Sequence, residues 1–218
     1  MGIFDFLKQA KEKNENVNDK SAALEPDLPY PFGYKIGWYA IKNETSKTVI
    51  EKLKLKIISE SNWKNGIIHA YNSRKHLFVS PAVKGYVLVI NIFPGDKHDI
   101  VKEHSLHFGE FQYFGSHRIT EYNAWAKFCD GKVIRSYCYV GESGEVTWCE
   151  GNLTPEEINL GFDIFPSNTE ELLSDDFDYE NIPDEAAVLA VAKSWGIDTA
   201  FEDGVYDKGT GFICEFKS

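Results

Sequence analysis

The chain has 218 residues, 43% of them hydrophobic and 14% aromatic, with a formal net charge of −11. That is enough apolar material for a packed core, so global disorder is excluded, and the length suits one large domain or two small ones. No apolar run approaches the roughly 20 residues that a bilayer-spanning helix needs, and the acidic balance argues against nucleic acid and anionic membranes as partners.

The charge is unevenly spread. Residues 1–149 carry 20 Lys and Arg against 17 Asp and Glu, a balance of +3, whereas residues 150–218 carry 3 against 17, a balance of −14. The last third is a polyanion, suited either to solubility or to a basic partner.

Residues 2–13 form an amphipathic pattern, with Ile3, Phe4, Phe6, Leu7 and Ala10 set among Lys8, Lys11 and Lys13. Such a segment can dock on the domain, pair with a second copy or rest on a membrane surface. An isolated helix this short is marginal, which favours docking or disorder. A polar stretch follows as far as Pro29, so residues 1–29 are predicted as an arm and linker and residues 30–218 as one domain. The opening lacks the basic start, apolar middle and cleavage site of a secretory signal, and Phe6 breaks an N-myristoylation pattern, so a cytoplasmic location is expected.

Residues 35–41 read as a strand, and Thr45 or Ser46 caps a predicted helix to about Leu53. Three further strands are expected at 66–71, 76–80 and 85–93. The last is continuously apolar, as in a central strand covered on both faces. A short helix is expected over about 99–107.

The strongest pattern lies between residues 110 and 151. It predicts a three-stranded antiparallel meander over about 119–150, with strands at 119–129, 132–140 and 145–150. Asp130 and Gly131 suit a two-residue type I′ turn, which needs positive φ at both positions. Simple alternation from that turn sets Trp125 opposite Ser136. It also collects Tyr122, Ala124, Ala126, Phe128, Val133, Arg135, Tyr137, Tyr139, Val146 and Trp148 on one face. Arg135 stands out there. It is either an anion site floored by Tyr137, Tyr139 and Trp148, or a guanidinium stacked on aromatics and paired with a local acid.

Beyond the meander, Thr154, Pro155, Glu156 and Glu157 form a capping box with proline at the first helical position. Another helical turn is expected near 169–173, an acidic loop over 174–180, a helix over 183–195 stopped by Gly196, and a last strand over 211–216. The fold class is therefore α+β: an antiparallel or mixed sheet with helices packed mainly on one face.

Chemistry-bearing patterns are sparse. His98, His104, His107 and His117 share one window, and His104 and His107 at i,i+3 on a helix would offer metal-ligand geometry together with His117. No nucleophile elbow, phosphate loop or dinucleotide fingerprint occurs. Cys129, Cys138, Cys149 and Cys214 include no C-x-x-C pair; Cys138 and Cys149 are expected either as free buried thiols or as a disulfide across neighbouring strands. No cofactor is expected.

In size, acidity and its MGIFDFLK opening the chain resembles small bacterial immunity-type proteins. That resemblance implies a non-enzymatic inhibitor or immunity module whose acidic surface meets a basic protein. The expected binding residues are Glu170, Glu171, Asp175, Asp176 and Asp178. The alternative is a metal-binding protein or metal-dependent hydrolase built on the histidine window 98–117.

Overall fold

The computed structural model describes residues 25–217 except Asp96, Asp176, Tyr179 and Glu180. The amphipathic segment 2–13 lies outside the described residues. The end of the expected linker is in place: Asp27 accepts hydrogen bonds from the N–H groups of Trp63 (2.6 Å) and Lys64 (3.1 Å) and bridges to Gly209.

Nine strands form one antiparallel sheet: β1 Gly37–Lys42, β2 Leu55–Asn62, β3 Leu77–Val79, β4 Tyr86–Ile90, β5 Glu110–His117, β6 Tyr122–Cys129, β7 Lys132–Val140, β8 Glu145–Glu150 and β9 Thr210–Phe216. Their spatial order is β2-β9-β3-β4-β1-β5-β6-β7-β8. Among the described residues six α-helices accompany them: α1 Ser46–Lys52, α2 Trp63–Asn72, α3 His98–Ser105, α4 Pro155–Asn159, α5 Thr169–Leu172 and α6 Glu185–Ser194.

Apolar alternation dictates two cores. One face of the sheet presents Trp38, Leu88, Phe114, Trp125 and Tyr137, covered by Trp63, Ile67 and Ala70 of α2, Leu172 of α5, and Val188, Val191 and Ala192 of α6. The other presents Tyr39, Val87, Val89, Phe111, Tyr113 and Trp148, covered by Val49 and Ile50 of α1 and Val101 of α3. The central β4 is buried along its whole length between β3 and β1.

The expected meander has four strands rather than three. Its first predicted strand starts at Tyr122, not Ile119, because residues 118–121 turn back from β5, with Glu121 at φ 48° and Ile119 exposed. The Asp130–Gly131 turn is as expected, with φ 48° and 72°. Register then departs from simple alternation. A bulge at Ile134 pairs Lys127 with Arg135 and Trp125 with Tyr137 instead of Ser136, and a second at Thr147 pairs Cys138 with Trp148. Each bulge inserts one residue and so exchanges the faces beyond it.

One further expectation is corrected. Residues 66–71 belong to α2, not a strand. Asn62 caps that helix by accepting from the Asn65 N–H, and Trp63, Ile67 and Ala70 recur at helical spacing on its buried side. Gly66 falls where the helix crosses β3, and a β-carbon there would collide with the Phe78 ring. Residues 55–62, where no element was expected, form edge strand β2, whose middle is solvent-facing, Ile57 and Ile58 included.

Candidate protein-binding surface

The face exchange decides what surrounds Arg135. It shares a face with Trp125 and Tyr137, while Trp148 lies on the opposite face, stacked on His98 at 4.6 Å. The four residues expected around one anion site are therefore split between the two cores.

Arg135 is 4% exposed and faces Glu157, which is fully buried. Glu157 is the last residue of the capping box on α4. Its Oε1 accepts from Arg135 Nε (2.9 Å) and Trp125 Nε1 (2.8 Å), and its Oε2 accepts from the Thr154 N–H (2.9 Å). Thr154 Oγ1 accepts from the Glu157 N–H and from Trp195 Nε1, both at 3.3 Å. The guanidinium lies 5.5 Å from the Tyr137 ring centroid. Burial works against its charge, but the Glu157 carboxylate and the neighbouring Cys149 outweigh that, and its pKa is raised. The carboxylate that meets Arg135 is internal, and its effect is to pull the chain after β8 down onto the sheet.

From that anchor the segment runs on as a strap. Phe162 and Phe165 stack on each other at 4.6 Å and tilt against Trp125. Thr169 Oγ1 accepts from the Val146 N–H at 3.2 Å, and Leu172 is buried. Asn123 Nδ2 donates to the Pro183 carbonyl at 2.9 Å. A second acid, Glu185, closes the far end. Its Oε1 accepts from Ser116 Oγ (3.1 Å) and the Lys35 N–H (3.0 Å), and its Oε2 from Arg118 Nε (2.8 Å).

Between the two anchors the remaining surface is acidic. Residues 150–185 hold 12 Asp and Glu and no Lys or Arg. Glu170 and Glu171 occupy the first turn of α5, and Asp175 and Asp178 follow it, all exposed; Asp176 lies outside the described residues. The Glu171 carboxylate accepts from the Ser167 N–H and Asn168 Nδ2, which rigidifies the turn. Among these carboxylates the strap exposes four large aliphatic side chains: Ile158, Leu160, Ile164 and Leu173, the last at 75%. These aliphatic residues were not singled out from the sequence, because their exposure depends on which side of the strap meets Trp125 and Tyr137.

The histidines do not converge. The Tyr39 hydroxyl and His104 Nδ1 share a hydrogen bond of 2.9 Å, and burial lowers the His104 pKa. His107 lies beyond the end of α3 and is exposed, and His117 bonds Thr120 Oγ1 at 3.2 Å. Among the described residues no three His, Cys, Asp or Glu side chains gather to hold a metal ion. All four cysteines are free, and the register puts Cys138 and Cys149 on opposite faces of adjoining strands, with Cys138 buried and Cys149 exposed. Among the described residues no helix is long and apolar enough to cross a membrane. No family model, curated protein or solved structure matches the chain.

Proposed function

We propose that the chain is a non-enzymatic protein-binding module of the inhibitor or immunity kind, docking a basic protein surface on the strap between Glu157 and Glu185. The observation that carries this reading is the composition of the strap's outer side, where exposed carboxylates alternate with exposed Ile158, Leu160, Ile164 and Leu173. Aliphatic contacts provide the desolvated centre that a protein interface needs, and the carboxylates around them steer a cationic partner and reject an anionic one. The buried Arg135–Glu157 pair at one end and the Glu185 hydrogen bonds at the other support it further, because a surface held rigid before binding loses less entropy on association. The four free thiols suit a reducing compartment, and we assign the cytoplasm.

The test is affinity capture from the native host at low and at high salt, using the wild-type chain and a variant carrying Glu170→Lys, Glu171→Lys and Asp175→Lys. One basic protein retained by the wild type at low salt, released by salt and lost by the variant is the expected result. A partner retained equally by both, whatever the salt, would show that the strap's charge serves only solubility.

A further inference from the structure

On the face opposite the strap, a groove of about 430 Å³ opens where α3 passes over β1 and the end of β9. Small-molecule sites are typically of this size, roughly 300–1,000 Å³. Three large apolar side chains at its border are solvent-facing: Phe93 at 43%, Phe216 at 42% and Ile100 at 37%. Exposed apolar surface gathered around a concavity marks a binding site more often than scattered exposure does.

Two cations, Arg74 and Lys75, also line the groove, against a net charge of −11 for the whole chain. Among the described residues Arg74 makes no ion pair or hydrogen bond, and Lys75 reaches Glu215 only at 3.8 Å. Their loop is held from both sides. Asn91 Nδ2 donates to the carbonyls of Ser73 (2.9 Å) and His76 (2.8 Å), and Ser73 Oγ accepts from the N–H groups of Lys75 (3.1 Å) and His76 (2.8 Å). Asn91 does this from a left-handed backbone, φ 82°, a conformation that costs energy and is enriched at functional sites. The cations are thus presented on a prepaid loop. His104 completes the lining, parallel to Phe216 at 5.6 Å, with its Nδ1 hydrogen-bonded to the Tyr39 hydroxyl.

We propose that this groove binds a small organic anion of the aromatic carboxylate class, its carboxylate held by Arg74 and Lys75 and its ring by Phe93 and Phe216. The charge and the flat apolar border each specify one half of that ligand. The site is independent of the strap and needs no protein partner.

The experiment titrates the full chain with phenylacetate and indole-3-acetate, with neutral phenylacetamide and inorganic phosphate as controls, by calorimetry and by amide chemical shifts. Saturable binding of at least one carboxylate is expected, with shifts centred on Arg74, Asn91, Ile100 and Phe216. Phenylacetamide and phosphate should each bind at least tenfold more weakly. Arg74→Gln, whose side chain is exposed and whose melting temperature should match wild type, should weaken the carboxylate at least tenfold. Phe216→Ala should weaken the carboxylate and the amide alike. The proposal is overturned if neither carboxylate binds saturably, if the amide or phosphate binds as well as the carboxylate, if Arg74→Gln has no effect, or if the shifts lie elsewhere.

Discussion

On one face of the sheet the chain after β8 is drawn down by a fully buried carboxylate and a guanidinium 4% exposed, and the aromatic floor beneath is sealed. On the other, α1 and α3 cover the middle of the sheet and leave Phe93, Ile100 and Phe216 open around a groove. The first face spends a charge pair to fix where its cover lies, and the outer side of that cover is then free to be acidic. The second holds its helices by aliphatic contact together with the Tyr39–His104 hydrogen bond and the His98–Trp148 stack, and the uncovered margin keeps its cations at the rim. A polyanionic surface and a cationic groove can coexist in one small protein because a nine-stranded sheet stands between them.

The largest effect expected from this contrast is at the ion pair. Arg135→Ala leaves Glu157 charged and buried, and unfolding by denaturant should show a loss of about 3–5 kcal/mol. The double replacement Arg135→Met with Glu157→Leu should recover only part of that, because Trp125 Nε1 and the Thr154 N–H still lose their acceptor. Full recovery in the same assay would mean the pair does no more than fill space. Next in size is Thr154→Ala, which removes the helix cap and strands Trp195 Nε1. A cost of about 1–2 kcal/mol is expected by the same measurement.

The open face should respond to acid instead. His98 and His104 have pKa values lowered by burial first, with the Lys102 charge adding to the effect at His98; Glu103 opposes and His107 reinforces it at His104. A histidine with a lowered folded-state pKa stabilises the fold fully above its unfolded value of about 6.5, and that contribution fades as pH falls below it. The melting temperature should drop as pH falls below about 6.5, before the carboxylates Asp198 and Glu215, whose own pKa values are lowered, begin to matter near pH 4. His104→Gln, which keeps an acceptor for Tyr39, should flatten the drop. The smallest effect on stability is expected from charge reversal at Glu170 and Asp175, within about 0.5 kcal/mol. A larger change would mean that these carboxylates hold the strap rather than face a partner.

Much of the sealed face was legible in the sequence. The bounds of β7 and β8, the Asp130–Gly131 turn, the Thr154 capping box and the Gly196 stop, at φ 113°, all rest on local signals and appear where local chemistry puts them. Arg135 and Glu157 were each conspicuous, one as a charge among aromatics and the other as a capping acid. Their union depends on the Ile134 bulge, which no composition announces. Arg135, Tyr137 and Tyr139 were set on the wrong face for that reason, since a single inserted residue reverses every side chain after it, and the second bulge at Thr147 returns Trp148 to the face expected for it, with Tyr122, Ala124 and Phe128. The run at 66–71 was ambiguous because a short apolar stretch fits a strand or a buried helix equally well. The groove was hidden altogether. Its lining comes from residues 39, 74, 75, 77, 91–94, 100, 104 and 216, which only the tertiary fold brings together.

Strand β9 has a consequence for biosynthesis. It lies between β2 and β3, pairing Leu55 with Phe216 and Leu77 with Cys214. A ribosome makes every other strand before it. Until β9 emerges, β2 has no neighbour in the sheet and one side of β3 is bare, while the pairings of β5 through β8 are already available locally. The nascent chain can complete its meander early but must carry exposed β-edges until β9 is made. In that interval the bare edges are open to pairing with other growing chains.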